Sequence, residues 1–149
     1  MSLDAIQAAI PHREPFLLVD EVLQQDQARI VCRKTFRGDE FWYRGHYPDF
    51  PLTPGVLLCE AAMQAGAILL APLAADIDGV PVVTRMNDVR FKRMVVPGET
   101  VVMEVVLDDR VAKAFFLTAR VTVEGQLAVR FQFSTTMARP DANRGQADD

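Results

Sequence analysis

From Pro54-Gly55 to Pro72 the chain is apolar or small at every position except Glu60 and Gln64. Proline and glycine at the start, and proline just past the end, are the boundaries a helix needs, so residues 56–71 form one. A helix that is apolar all round has no solvent face and must be enclosed. This one is too short, and too polar at two positions, to span a bilayer. The fold therefore has to surround a single helix.

The other patterned segments supply the enclosure. Residues 3–9 read as a short helix with Ser2 as N-cap, ended by Pro11. Residues 16–25 and 29–36 read as two strands joined through the polar stretch 24–28, a hairpin. Residues 38–55 hold Gly38, Gly45, Pro48, Pro51, Pro54 and Gly55, a density of breakers that predicts a loop of defined path without regular structure. After a turn at 76–79 come four strand-like runs: 80–91, 100–107, 113–123 and 126–137. In the last, Leu127, Val129, Phe131 and Phe133 alternate with Ala128, Arg130, Gln132 and Ser134, the period of a sheet with one buried face. The central helix is the one segment long and apolar enough to cover that face. The expectation is an α+β hotdog fold, a long antiparallel sheet wrapped around one helix. Residues 1–138 are expected to form one domain, and the polar stretch 139–149 a disordered tail.

At 149 residues the chain has the length of one domain. Its formal charge of -4 offers no general attraction to nucleic acid. Cys32 and Cys59 sit in apolar sequence and read as small buried hydrophobes in a reducing, cytoplasmic setting. The first residues lack the basic flank and apolar core of a secretory signal.

Glu60 and Gln64 are four residues apart, so they project from the same helix face one turn apart. A carboxylate in apolar surroundings costs several kcal/mol unless it is paired or protonated. Spacing alone leaves a structural and a catalytic carboxylate equally open. His46 shifts the balance: it lies in Gly45-His46-Tyr47-Pro48, a restricted loop just upstream of the same helix, and imidazole exchanges protons near neutral pH. The amides of Gly55 and Val56 belong to the unpaired donors of the helix start, suited to a carbonyl oxygen gaining negative charge. His12, beside Arg13, reads as an organiser of the N-terminal segment, and Arg90, Lys92 and Arg93 as a solvated basic cluster. No spacing suggests zinc, a phosphate loop or a nucleophilic serine, so neither metal nor cofactor is expected.

Three blocks resemble the FabZ-type 3-hydroxyacyl-acyl-carrier-protein dehydratases of the hotdog superfamily. They are Pro11-His12-Arg13-Glu14-Pro15-Phe16-Leu17-Leu18-Val19-Asp20; Gly45-His46-Tyr47-Pro48 with Pro51, Pro54-Gly55-Val56-Leu57, Glu60-Ala61 and Gln64; and Arg90-Phe91-Lys92-Arg93 with Val95-Val96-Pro97-Gly98-Glu99. The resemblance implies that His46 removes the proton alpha to a thioester carbonyl and Glu60 protonates the departing 3-hydroxyl. It further implies that Gly55 holds the carbonyl and Gln64 supports Glu60. The implied substrate is a 3-hydroxyacyl thioester, on acyl carrier protein or coenzyme A, in fatty-acid or related lipid or polyketide biosynthesis. Histidine and carboxylate would meet across a homodimer interface, often within a trimer of dimers. Asp49, Tyr47, Thr53 and Met94 depart from the usual pattern, and residues 81–86 lack the aromatics common near the acyl tunnel. Two rivals remain, a hotdog acyl-thioesterase and a non-catalytic acyl-binding hotdog subunit. The first would release free thiol; the second would bind without turnover.

Overall fold

A computed structural model describes residues 1–139. Its frame is a six-stranded sheet in the order β1-β2-β4-β5-β6-β3, antiparallel throughout. The strands are β1 (Glu21–Gln25), β2 (Arg29–Thr35), β3 (Val80–Phe91), β4 (Thr100–Val111), β5 (Ala114–Val123) and β6 (Gln126–Ala138). Helix α2 (Gly55–Leu70) lies in the sheet's concavity. A short α1 (Leu3–Ala9) precedes the sheet, with the Ser2 side chain accepting from the Ala5 amide.

Alternation decides which side chains reach the helix. In β6, Val129, Phe131 and Phe133 are buried while Arg130 and Gln132 are exposed, and in β5 Phe115, Leu117, Ala119, Val121 and Val123 are buried. On the helix, Leu58, Ala61, Ala62, Ala65, Ile68 and Leu69 meet them. Each fully buried Leu or Phe contributes about 1.5–3 kcal/mol. The small residues let the helix sit close: a Cβ on Gly66 would lie 2.9 Å from Phe133 Cζ.

Several boundaries differ from those read in the sequence. The strand expected from residue 16 starts at Glu21, because the backbone before it bonds to a helix side chain instead: the Leu18 amide donates to Gln64 Oε1 at 2.7 Å and the Phe16 carbonyl accepts from Gln64 Nε2 at 2.8 Å. Strand β4 runs on to Val111 through an irregularity between Leu107 and Asp109. The 38–55 loop is not wholly irregular, since Phe41–Arg44 forms a 3-10 turn whose Trp42 and Tyr43 are buried. The tail expected over 139–149 lies, from residue 140 on, outside the described residues. No helix among those described is long and apolar enough to cross a membrane.

Candidate active site

The loop that carries His46 is held from below by a buried ion pair. The inward phase of β2 reads Ile30, Cys32, Lys34, which places a lysine where an apolar residue is expected. Lys34 is only 5% exposed, and its Nζ lies 3.5 Å from Asp20 and 3.7 Å from Glu40. Glu40 also accepts from the amides of Arg37 and Gly38. It thereby fixes the entry to the 3-10 turn one turn ahead of His46. Sequence reasoning missed this pair, although a lysine on the buried phase of a strand was a signal for it.

Beyond the turn, Tyr47 adopts a left-handed backbone (φ 51°), the kind of local strain that gathers at functional sites. Its ring meets the His46 ring edge-on at 4.8 Å. His46 Nδ1 is 2.8 Å from the Leu52 carbonyl. A carbonyl can only accept, so Nδ1 carries a proton, and in the neutral ring Nε2 is the nitrogen with the free lone pair. The Thr53 amide donates to the Val95 carbonyl, and the Thr53 hydroxyl is 2.6 Å from the Tyr43 hydroxyl. The loop is thus stitched to its surroundings on both sides of the imidazole.

His46 lines a cleft of about 760 Å³ together with Gly55, Val56, Phe91 and Lys92. Helix α2 starts there, and Pro54 supplies no side-chain cap, so the first-turn amides of Gly55 and Val56 remain open to a ligand oxygen. A Cβ on Gly55 would come within 2.6 Å of the Phe91 ring.

Glu60 lies elsewhere. It lines a separate hollow of about 60 Å³ with His12, Met63, Gln64, Ala67, Pro81, Val83 and Thr135. Gln64 Nε2 donates to Glu60 Oε1 at 3.2 Å, and His12 Nε2 is 3.7 Å from the same oxygen. Within one chain, then, the two hollows share no lining residue, and His46 and Glu60 do not form one site. Of the basic cluster, Arg90 bonds to Asp88 and Arg93 to Glu99. These pairs hold both carboxyls below the usual range, chiefly through the arginine hydrogen bonds.

A model of the FabA-like domain matches residues 10–132. The chain belongs to the FabA-like family. Among its relatives, the 3-hydroxyacyl-[acyl-carrier-protein] dehydratase FabZ of Clostridium perfringens strain SM101 is 38% identical over 128 residues, 86% of this chain and 92% of the relative. FabZ of Syntrophobacter fumaroxidans is 34% identical over 145 residues, 97% and 99% of the two chains. Among solved structures, the dehydratase heterocomplex ApeI:P from Xenorhabdus doucetiae superposes with a TM-score of 0.81 at 15% identity, covering 97% of each chain. The PaaI protein of the Escherichia coli phenylacetic acid degradation operon gives 0.64 at 14% identity, covering 78% and 81%. At such identities these structures speak to the fold, which is the hotdog.

One departure from the FabZ pattern now has a physical account. Thr53 is 3% exposed, and its hydroxyl is satisfied by Tyr43. The two hydroxyls complete each other, so a polar side chain is tolerated in the core.

Proposed function

We propose that this chain dehydrates 3-hydroxyacyl thioesters to trans-2-enoyl thioesters, the activity named for its FabZ relatives. The observation that carries the reading is the locked tautomer of His46 beside the open first turn of α2. Nε2 takes the proton from C2, and the C–H electrons form the C2=C3 bond. The thioester oxygen, gaining charge, is held by the Gly55 amide with Val56 adjacent. The C3–O bond breaks as Glu60 delivers a proton to the hydroxyl, which departs as water. Gln64 holds the Glu60 carboxyl by its amide. The acyl group is carried on acyl carrier protein or coenzyme A, in fatty-acid or related biosynthesis in the cytoplasm, by a domain spanning residues 1–138.

His46 and Glu60 are brought together by a second copy. Strand β3 is a sheet edge of 12 residues, and Val80, Val82, Val83, Met86, Val89 and Phe91 on it are 36–53% exposed. Such an edge is an unstable surface unless something pairs with it. Pro81 and Val83, at one end of β3, line the Glu60 hollow, whereas Phe91, at the other end, lines the His46 cleft. Antiparallel pairing of two β3 strands about their middle sets the first end against the partner's second. Two composite sites result, each with His46 from one copy and Glu60 from the other, and three such dimers build the larger assembly.

The test follows enoyl absorbance and free thiol together on trans-2-enoyl and 3-hydroxyacyl thioesters. Reversible hydration without thiol release, lost in His46→Ala and in Glu60→Gln, is expected; thiol release would instead identify a thioesterase. Subunit exchange between the two dead variants should restore about a quarter of the wild-type rate, because half the dimers are mixed and each has one intact site. An active wild type with no such rescue would refute the shared site.

A further inference from the structure

We propose that His12 is a positioning residue for Glu60, a role that rests on the dehydratase reading above. Sequence reasoning gave this histidine only the N-terminal segment to organise, yet its Nε2 lies 3.7 Å from Glu60 Oε1. Both side chains line the same hollow of about 60 Å³, about a quarter of each being exposed (27% and 23%).

The tautomer follows from the other ring nitrogen. His12 Nδ1 is buried and meets no hydrogen-bond partner. A proton there would be an unpaired donor shut away from water, which is the costlier state. The proton of the ring therefore sits on Nε2, facing the carboxyl. At 3.7 Å the contact is longer than a hydrogen bond, so it acts electrostatically or through a water, for which the hollow has room.

His12 is also held more firmly than a residue of a free strap. The Arg13 guanidinium donates to the carbonyls of Gln7, Ile10 and His12 itself, which closes the backbone around the imidazole. From the other side Gln64 binds the Phe16 carbonyl, the Leu18 amide and Glu60 Oε1. One glutamine thus ties the strap that bears His12 to the helix that bears the acid. Glu60 Oε1 is addressed by Gln64 from its own helix and by His12 from the strap. With the Gln64 hydrogen bond and the His12 Nε2 contact both on Oε1, Oε2 is the oxygen left to a substrate hydroxyl. Loss of His12 frees the carboxyl to rotate, and misplacement of a reacting group by about 1 Å costs on the order of 100-fold in rate.

The experiment compares His12→Phe, which keeps a ring of similar shape without a donor, with His12→Gln, whose amide N–H reaches the position of Nε2. Steady-state hydration of crotonyl-coenzyme A and thermal melting are measured on the full chain, alongside Glu60→Gln and the double variant His12→Phe/Glu60→Gln. Expected are a fall in kcat of roughly 10- to 100-fold for His12→Phe with KM within about twofold, substantial recovery in His12→Gln, and no further loss when His12→Phe is added to Glu60→Gln. A structural histidine would rank the variants the other way, with Phe better than Gln and activity following the melting temperature. An active wild type matched by His12→Phe, or a His12→Gln no better than His12→Phe, overturns the inference alone. An inert wild type overturns the dehydratase reading and this inference with it.

Discussion

Replacing Gly66 by alanine sets two well-known effects against each other. In the middle of a helix, alanine is better than glycine by about 0.8–1 kcal/mol, so the change should stabilise the chain if the site were open. It is not open. The added Cβ would stand 2.9 Å from Phe133 Cζ, 3.5 Å from Phe133 Cε2 and 3.5 Å from Val105 Cγ1. Phe133 is 2% exposed and has the Phe131 ring 5.5 Å away, so its ring cannot withdraw without moving a second one. Overpacking of this kind costs about 1–3 kcal/mol. At mid-range the clash outweighs the propensity by about 1 kcal/mol, or about 2–4 °C in Tm for a chain of this size. Differential scanning calorimetry of Gly66→Ala, Phe133→Leu and the double variant measures this directly. The double variant should be more stable than the sum of the single changes by about 1 kcal/mol, because leucine vacates the volume that the methyl needs. A Gly66→Ala protein that melts above wild type would show that helix and sheet are not in close contact at this point, and the reasoning would fail.

Other consequences can be measured on the same protein. Met86→Glu introduces a charge near the middle of β3, where the side chain is 39% exposed in the single chain; sedimentation should show monomers with unchanged circular dichroism, and hydratase activity should vanish with the dimer. Lys34→Met leaves Glu40 without its buried cation and should cost about 3 kcal/mol, the low end for a broken buried pair because the contact is long. Denaturant titration reads that loss, and an unchanged midpoint would refute the anchoring role. Burial pushes the Cys32 thiol up to about 12 and the Cys59 thiol up to about 11, from 9.0. Neither should react with a thiol reagent at pH 8 until the chain unfolds. Because both folded values lie above the unfolded one, the thiols' contribution to stability is complete below about pH 9 and is lost as the pH rises through 11 to 12; alanine at both positions should flatten that alkaline decline.

Helix α2 and its two polar residues were legible because breakers and hydropathy act locally, and the structure moves its ends by a single residue. The four later strands were legible for the same reason. The onset of β1 was not, since the choice of residues 16–20 between a strand and a strap depends on Gln64, 46 to 48 residues away. The burial of Lys34 was not legible either, because its partners Asp20 and Glu40 come from segments on either side of β2. The contact between His12 and Glu60 was not legible because the two are remote in sequence. His46 and Glu60 stood out by residue type and context, and the structure places them in two hollows at opposite ends of β3, a separation no local pattern encodes.

That separation bears on how such a chain can diverge. When each copy contributes a base to one site and an acid to the other, selection acts on the pair rather than on the polypeptide. After a gene duplication, one descendant can lose His46 and the other Glu60, and the mixed pair still retains one complete site. The freed hollow on each descendant is then open to new uses, such as gripping a different acyl group or docking another protein. A single-chain enzyme with both groups in one pocket has no such intermediate, because its first lost residue is also its last functional one.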